Sequence, residues 1–141
     1  MEIFNEQNFF AGAFIARVFL GCLFFFQGYD AVFRIKVKNV ISTYQNSFTN
    51  SGIPKSVTVL ASWFTCYTEL ICGAFLILGL YQYLALYLLG INLIIAAIGF
   101  GITNPMWDSR YVMPRLVLLL LLLFIPREYN AWSIDNLMFN H

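Results

Sequence analysis

Charge is what this sequence has least of. Of 141 residues, 11% are Asp, Glu, Lys or Arg, while 60% are hydrophobic. A soluble domain carries about 25% charged residues. The deficit excludes an ordinary water-soluble globule and points to an integral membrane protein. The net charge of +1 leaves no basic field for nucleic acid, which is not an expected partner. Histidine is scarcer still: the one present is His141, which excludes a bis-His haem site. Cysteine is limited to Cys22, Cys66 and Cys72. The number is odd and no CxxC spacing occurs, so neither a disulfide framework nor a thioredoxin-like dithiol is expected. Buried core thiols are the simpler reading. No Cys/His spacing suits a metal such as zinc. A glycine-rich phosphate loop, a Ser/His/Asp constellation and paired catalytic carboxylates are all missing. No catalytic residue is assigned, no cofactor is required, and a self-contained enzyme is not expected.

What is there in abundance is long hydrophobic runs. Four apolar segments cover residues of about 9–33, 57–80, 84–102 and 106–126. Each is of the length that crosses a hydrocarbon core of about 30 Å at 1.5 Å per residue. The fourth reaches that length only if its helix starts near Met106, since Pro114 and Arg115 lie early in it. The first eight residues contain Glu2 and Glu6 and neither Lys nor Arg. That is not the n-region of a secretory signal, so the first segment is expected to be a retained membrane helix. Residues 34–54 differ in kind. They carry Arg34, Lys36 and Lys38, and Val37, Val40, Ile41, Tyr44 and Phe48 recur at helical spacing, as in an amphipathic helix on the membrane surface. Ser51-Gly52-Ile53-Pro54 is turn chemistry, with Pro54 suited to a helix start. The expected fold is all-α: a single domain over residues 1–141, an integral membrane four-helix bundle with an amphipathic surface helix between helices 1 and 2.

The basic residues orient the bundle. Arg34, Lys36, Lys38, Lys55 and Arg110 fall in the first and third loops, while the other side holds only Arg127. Positive loops stay cytoplasmic. A multi-pass protein of a bacterial inner membrane with both termini periplasmic is expected. Tyr81, Tyr83, Tyr129 and Trp132 would then form the outer aromatic belt and Trp107 the inner one.

Glu69 is the one charge in the 24 residues Val57–Leu80. A carboxylate at that depth costs several kcal/mol in lipid and must face protein. Counted from the outer end of each span, Arg17, Glu69, Asn92 and Arg115 lie about 8–11 residues in, roughly 12–16 Å deep. They form a candidate buried polar layer. Glu69 is expected to bridge Arg17 through the planar, bidentate geometry that Arg offers a carboxylate, with Arg115 nearby. Helix faces agree. Arg17, Gly21 and Gly28 share one face of the first helix. Ser62, Cys66, Glu69 and Gly73 share one of the second, and Asn92, Ala96, Gly99 and Thr103 one of the third. Small residues allow close helix approach, so these faces should point inward, with phenylalanines and leucines, including Leu118–Leu123, toward lipid. Gln27 and Asp30 sit near the inner end of the first helix, where Asp30 should meet Arg34, its i+4 neighbour.

Several motifs occur in a fixed order: Arg17-Val-Phe-Leu-Gly21 followed by Gly28; Ser51-Gly52-Ile53-Pro54; Glu69-Leu-Ile-Cys-Gly73 running into Leu76-Ile-Leu-Gly79-Leu80; and Trp132-Ser133-Ile134-Asp135. In this order they resemble the DoxX family of small four-helix bacterial inner-membrane proteins, whose chains end in a Ser-Leu-Asp motif. Ala31 stands where the family often has Lys. The resemblance implies a four-helix inner-membrane bundle and a link to redox systems, since relatives include the membrane subunit of a thiosulfate–quinone oxidoreductase. Three functions are open. The first is an accessory subunit of a larger inner-membrane complex that binds other membrane subunits and phospholipids. The second is a quinone-linked oxidoreductase subunit using the Arg17/Glu69/Arg115 layer, with quinone as its cofactor. The third is a carrier of small molecules or lipids, for which the repeats or broken helices usual in transporters are not evident.

Overall fold

The computed structural model describes residues 2–103, 109–126, 129 and 133–139. Helix α1 spans Glu2–Tyr29 and widens into a π turn at Asp30–Arg34. Lys36, at a φ of 69°, turns the chain into α2, Val37–Ser47. Helices α3 (Lys55–Leu78), α4 (Gln82–Thr103), α5 (Ser109–Phe124) and α6 (Ile134–Phe139) follow. Three stretches, Glu6–Arg34, Lys55–Leu78 and Gln82–Thr103, are long and apolar enough to cross a membrane. Helix α5 is shorter, with 16 residues and Pro114 inside it. The start of the fourth span near Met106 lies outside the described residues, as do Trp107, Arg127, Trp132 and His141.

The long helices form a closed ring: α1 packs on α3, α3 on α4, α4 on α5 and α5 back on α1. The α1–α3 seam is set by glycine. A Cβ on Gly28 would collide with the backbone of Leu70, and a Cβ on Gly73 would stand 3.0 Å from the Gly21 carbonyl oxygen. The two backbones touch where neither helix carries a side chain, as small residues permit in membranes. Between the helices lies an apolar core built from Leu20, Phe24, Leu76, Leu86, Leu89 and Leu122, all fully buried. This corrects the expectation that phenylalanines and leucines mark lipid. Phe24 is central, and within Leu118–Leu123 it is Leu119 and Leu122 that point inward. In a chain this apolar, hydrophobicity does not tell the inner face from the outer; residue size and polarity do.

Helix α2 is amphipathic as expected. Val37 is buried, Val40, Ile41 and Tyr44 are half-buried, and Lys38 is exposed. It packs along α3, and Phe48 just beyond it reaches α4, its ring tip 3.5 Å from where a Cβ on Gly99 would sit. At the opposite end Gly79, at a φ of 71°, closes α3. The Gly79 N–H donates to the Leu76 carbonyl at 3.2 Å and the Leu80 N–H to that of Phe75 at 2.9 Å, the Schellman pattern that only glycine adopts cheaply. Asp30 and Arg34 pair at 3.1 Å on the surface, as their spacing predicts.

Candidate functional site

Glu69 is 4% exposed and lies on the inner stripe of α3 with Ser62, Cys66 and Gly73, all buried. Its Oε1 accepts two hydrogen bonds: one from Gln27 Nε2 of α1 at 3.2 Å and one from Asn92 Nδ2 of α4 at 3.0 Å. Arg115 of α5 acts on the same carboxylate through its charge, and its guanidinium lies 5.6 Å from the centre of the Phe24 ring, a cation–π distance. One carboxylate is thus hydrogen-bonded from two other helices of the ring, α1 and α4, and Arg115 of α5 acts on it from beyond ion-pair distance. Asn92 is 1% exposed, and its Oδ1 has no hydrogen-bond partner among the described residues.

Arg17 is not in this cluster, and the expected Arg17–Glu69 bridge does not form. The register of the glycine seam explains why. Gly28 lies against Glu69 and Leu70, and Gly21 against Gly73 and Ile77. The antiparallel pairing therefore carries Arg17 to the level of Gly79, ten residues and about 15 Å from Glu69 along α3. There a Cβ on Gly79 would stand 2.5 Å from Arg17 Nη1 and 2.9 Å from Ser133 Cβ. Counting depth from the apolar boundary of each segment fails because α1 overhangs α3: Phe9 is not level with Leu80. The four-residue layer is two sites, one at mid-helix and one at the end.

The end site joins the chain's beginning to its last helix. Arg17 is 2% exposed, lies 5.5 Å from the Phe14 ring centre, and is under the field of the Asp135 carboxylate. Asp135 also ties down the α3–α4 turn. Its N–H donates to the Gly79 carbonyl at 3.1 Å, and its carboxylate accepts from the N–H groups of Tyr81 at 2.8 Å and Gln82 at 3.0 Å. A remote side chain therefore caps the N-terminus of α4, where backbone donors lack partners and negative charge is favoured.

Hydropathy misplaces or misses two residues of these sites, although Asp135 belongs to the motif Trp132-Ser133-Ile134-Asp135. Hydropathy puts Gln27 at the helix end rather than beside Glu69. Setting Gly21 against Gly73 would have moved it there. Asp135 carries no hydropathy signal, since it lies past the last apolar run.

A cavity of about 410 Å³ lies between α2, the following loop, α3 and α4. Thr58, Ser62 and Thr65 of α3 line it, so its inner end lies one turn short of Glu69. The DoxX family model matches residues 12–102, more than half of the chain. The chain belongs to the DoxX family. No curated protein and no solved structure matches it. With its long apolar helices, this DoxX chain is an integral membrane protein. The matched stretch holds Arg17, Glu69 and Asn92, while Arg115 and Asp135 lie beyond it. Ser133-Ile134-Asp135, outside the matched stretch, latches the α3–α4 turn through Asp135.

Proposed function

We propose that this DoxX protein is a non-catalytic accessory subunit of a larger inner-membrane complex, crossing the membrane four times with both termini in the periplasm. The observation that carries the reading is the Glu69 clasp. Its hydrogen bonds to Gln27 and Asn92 and its attraction to Arg115 commit the mid-membrane polar groups to holding helices together. The outer surface is open to partners, with Phe26, Phe33, Trp63, Tyr67 and Ile71 of α1, its π turn and α3 exposed. Trp63 and Tyr67 stack with centroids 5.2 Å apart. Exposed apolar area of this kind suits lipid and other membrane helices, which associate by packing. The quinone-linked alternative uses Arg17, Glu69 and Arg115 as one layer around a quinone carbonyl, and the register sets Arg17 about 15 Å along α3 from Glu69.

The test is capture from native membranes in mild detergent with a photo-crosslinking residue at Trp63 or Ile71. The expected result is one or a few integral membrane proteins crosslinked in stoichiometric amount. Recovery of the chain as a stable monomer with an activity of its own would overturn the proposal.

A further inference from the structure

The cavity between α2, α3 and α4 is not explained by a clasp or by an outer surface. Its volume, about 410 Å³, falls in the range of ligand pockets, roughly 300–1,000 Å³. Its walls mix aliphatic and small residues, Val57, Ala61, Ile95 and Gly99 among them, with the rings of Tyr44, Phe48 and Phe100 and five serine or threonine side chains. One polar group stands out. Thr58 is 5% exposed and lines the cavity, and its Oγ1 is buried without a hydrogen-bond partner among the described residues. Two neighbouring hydroxyls are spent, Ser62 donating to the Thr58 carbonyl at 2.7 Å and Thr103 to that of Gly99 at 3.1 Å, while Thr65, which also lines the cavity, is only half-buried. A buried hydroxyl left unsatisfied costs roughly 1–3 kcal/mol, so Thr58 calls for an acceptor from outside the chain. Three residues earlier, about 5 Å along the axis, the exposed Lys55 opens α3, just outside the residues that line the cavity.

We propose that this cavity is a binding site for one anionic glycerophospholipid. The Lys55 ammonium takes the phosphate. The Thr58 hydroxyl donates to an ester carbonyl one turn deeper. One acyl chain runs past Ala61 and Gly99 toward Ile95. The vertical order cation, donor, aliphatic slot matches the order phosphate, ester, chain. Helix α2 forms the outer wall, so the lipid is held between the surface helix and the bundle rather than on the annulus. The site stands apart from the accessory-subunit reading, because lipid retention and partner capture are measured separately and either can fail alone.

The experiment uses the full chain, delipidated stepwise in detergent and then offered phosphatidylglycerol or phosphatidylcholine with identical chains, with native mass spectrometry as readout. One phosphatidylglycerol per chain should persist after the annular lipids are gone. Gly99→Leu and Ala61→Phe, which fill the slot, should lower its retention about tenfold, Thr58→Val several-fold, and Lys55→Gln should abolish the preference over phosphatidylcholine. Unchanged retention in a folded slot-filling variant, equal retention of the two lipids by the unaltered chain, or a quinone or free fatty acid at that stoichiometry would each overturn the proposal. If neither slot variant folds, phosphatidylglycerol with a photoreactive chain terminus decides on the unaltered protein. Adducts on α3 and α4 peptides support the site, and adducts spread over the exterior of α1 and α5 overturn it.

Discussion

At the scale of single residues, Glu69 behaves as an acceptor before it behaves as a charge. Both of its hydrogen bonds end on Oε1, and a glutamine carbonyl can accept there equally well. Glu69→Gln should therefore retain the fold, losing chiefly the attraction to Arg115. Glu69→Leu strands the Gln27 and Asn92 amides and should cost roughly 1–3 kcal/mol more, read as a lower midpoint of unfolding in a denaturing detergent. A double-mutant cycle of Glu69→Leu with Asn92→Leu should show coupling of about 0.5–2 kcal/mol. Strict additivity would mean that the 3.0 Å contact contributes nothing. The importance of Glu69 and Asn92 was legible in the sequence, because a polar side chain in an apolar helix is conspicuous and costly. Their pairing was not. It depends on which turn of α1 faces which turn of α3, and the ten residues between Arg17 and Gln27 exceed the about two to four by which a hydropathy boundary is blurred, so the glycine register and not the boundary decides it.

Elements meet where side chains are absent. Of the nine glycines, Gly28 and Gly73 abut backbone on the facing helix, whereas Gly12 and Gly101 have nothing within 4 Å of where a Cβ would sit. Gly28→Ala and Gly73→Ala should each force α1 and α3 apart and destabilise the bundle by at least about 1–3 kcal/mol, the usual cost of overpacking. Gly12→Ala and Gly101→Ala should be neutral or stabilising by up to about 1 kcal/mol, because glycine weakens a helix interior. Thermal unfolding of the four variants in one detergent checks both halves. The stripe itself was readable from the sequence, since Gly21, Gly28 and Gly73 fall on the faces that carry the polar residues. The latch was not. Tyr81 and Gln82 donate to different oxygens of Asp135, so Asp135→Asn keeps an acceptor for one of the two amides and loses the charge felt by Arg17, whereas Asp135→Ala loses both acceptors and the charge. The alanine variant should be less stable by about 1–2 kcal/mol, as for a lost helix cap, and the asparagine variant should fall between it and the unaltered chain.

For the molecule as a whole, α1 extends beyond the ring at one end and α2 fills the other, so the two ends differ in build as well as in charge. If Arg34, Lys36, Lys38 and Lys55 face the cytoplasm, a cysteine at Ser51 should react with an impermeant maleimide only in inverted vesicles, and one at Glu6 only in intact spheroplasts. The opposite pattern would reverse the topology. Three long apolar helices and the surface helix were readable from hydropathy, whereas the expected fourth span is a shorter helix among the described residues, and the latch at Asp135 depended on a short polar motif that hydropathy ignores. That closure has a consequence for biogenesis. Arg17 enters the membrane with the first helix, and the carboxylate whose field it feels is translated roughly 120 residues later. At about 5–20 residues per second, that is an interval on the order of ten seconds. During it the arginine depends on the insertion machinery, headgroups or water, and the α3–α4 turn lacks its cap. Synthesis of α6 thus supplies both the cap of the α3–α4 turn and the carboxylate whose field Arg17 feels.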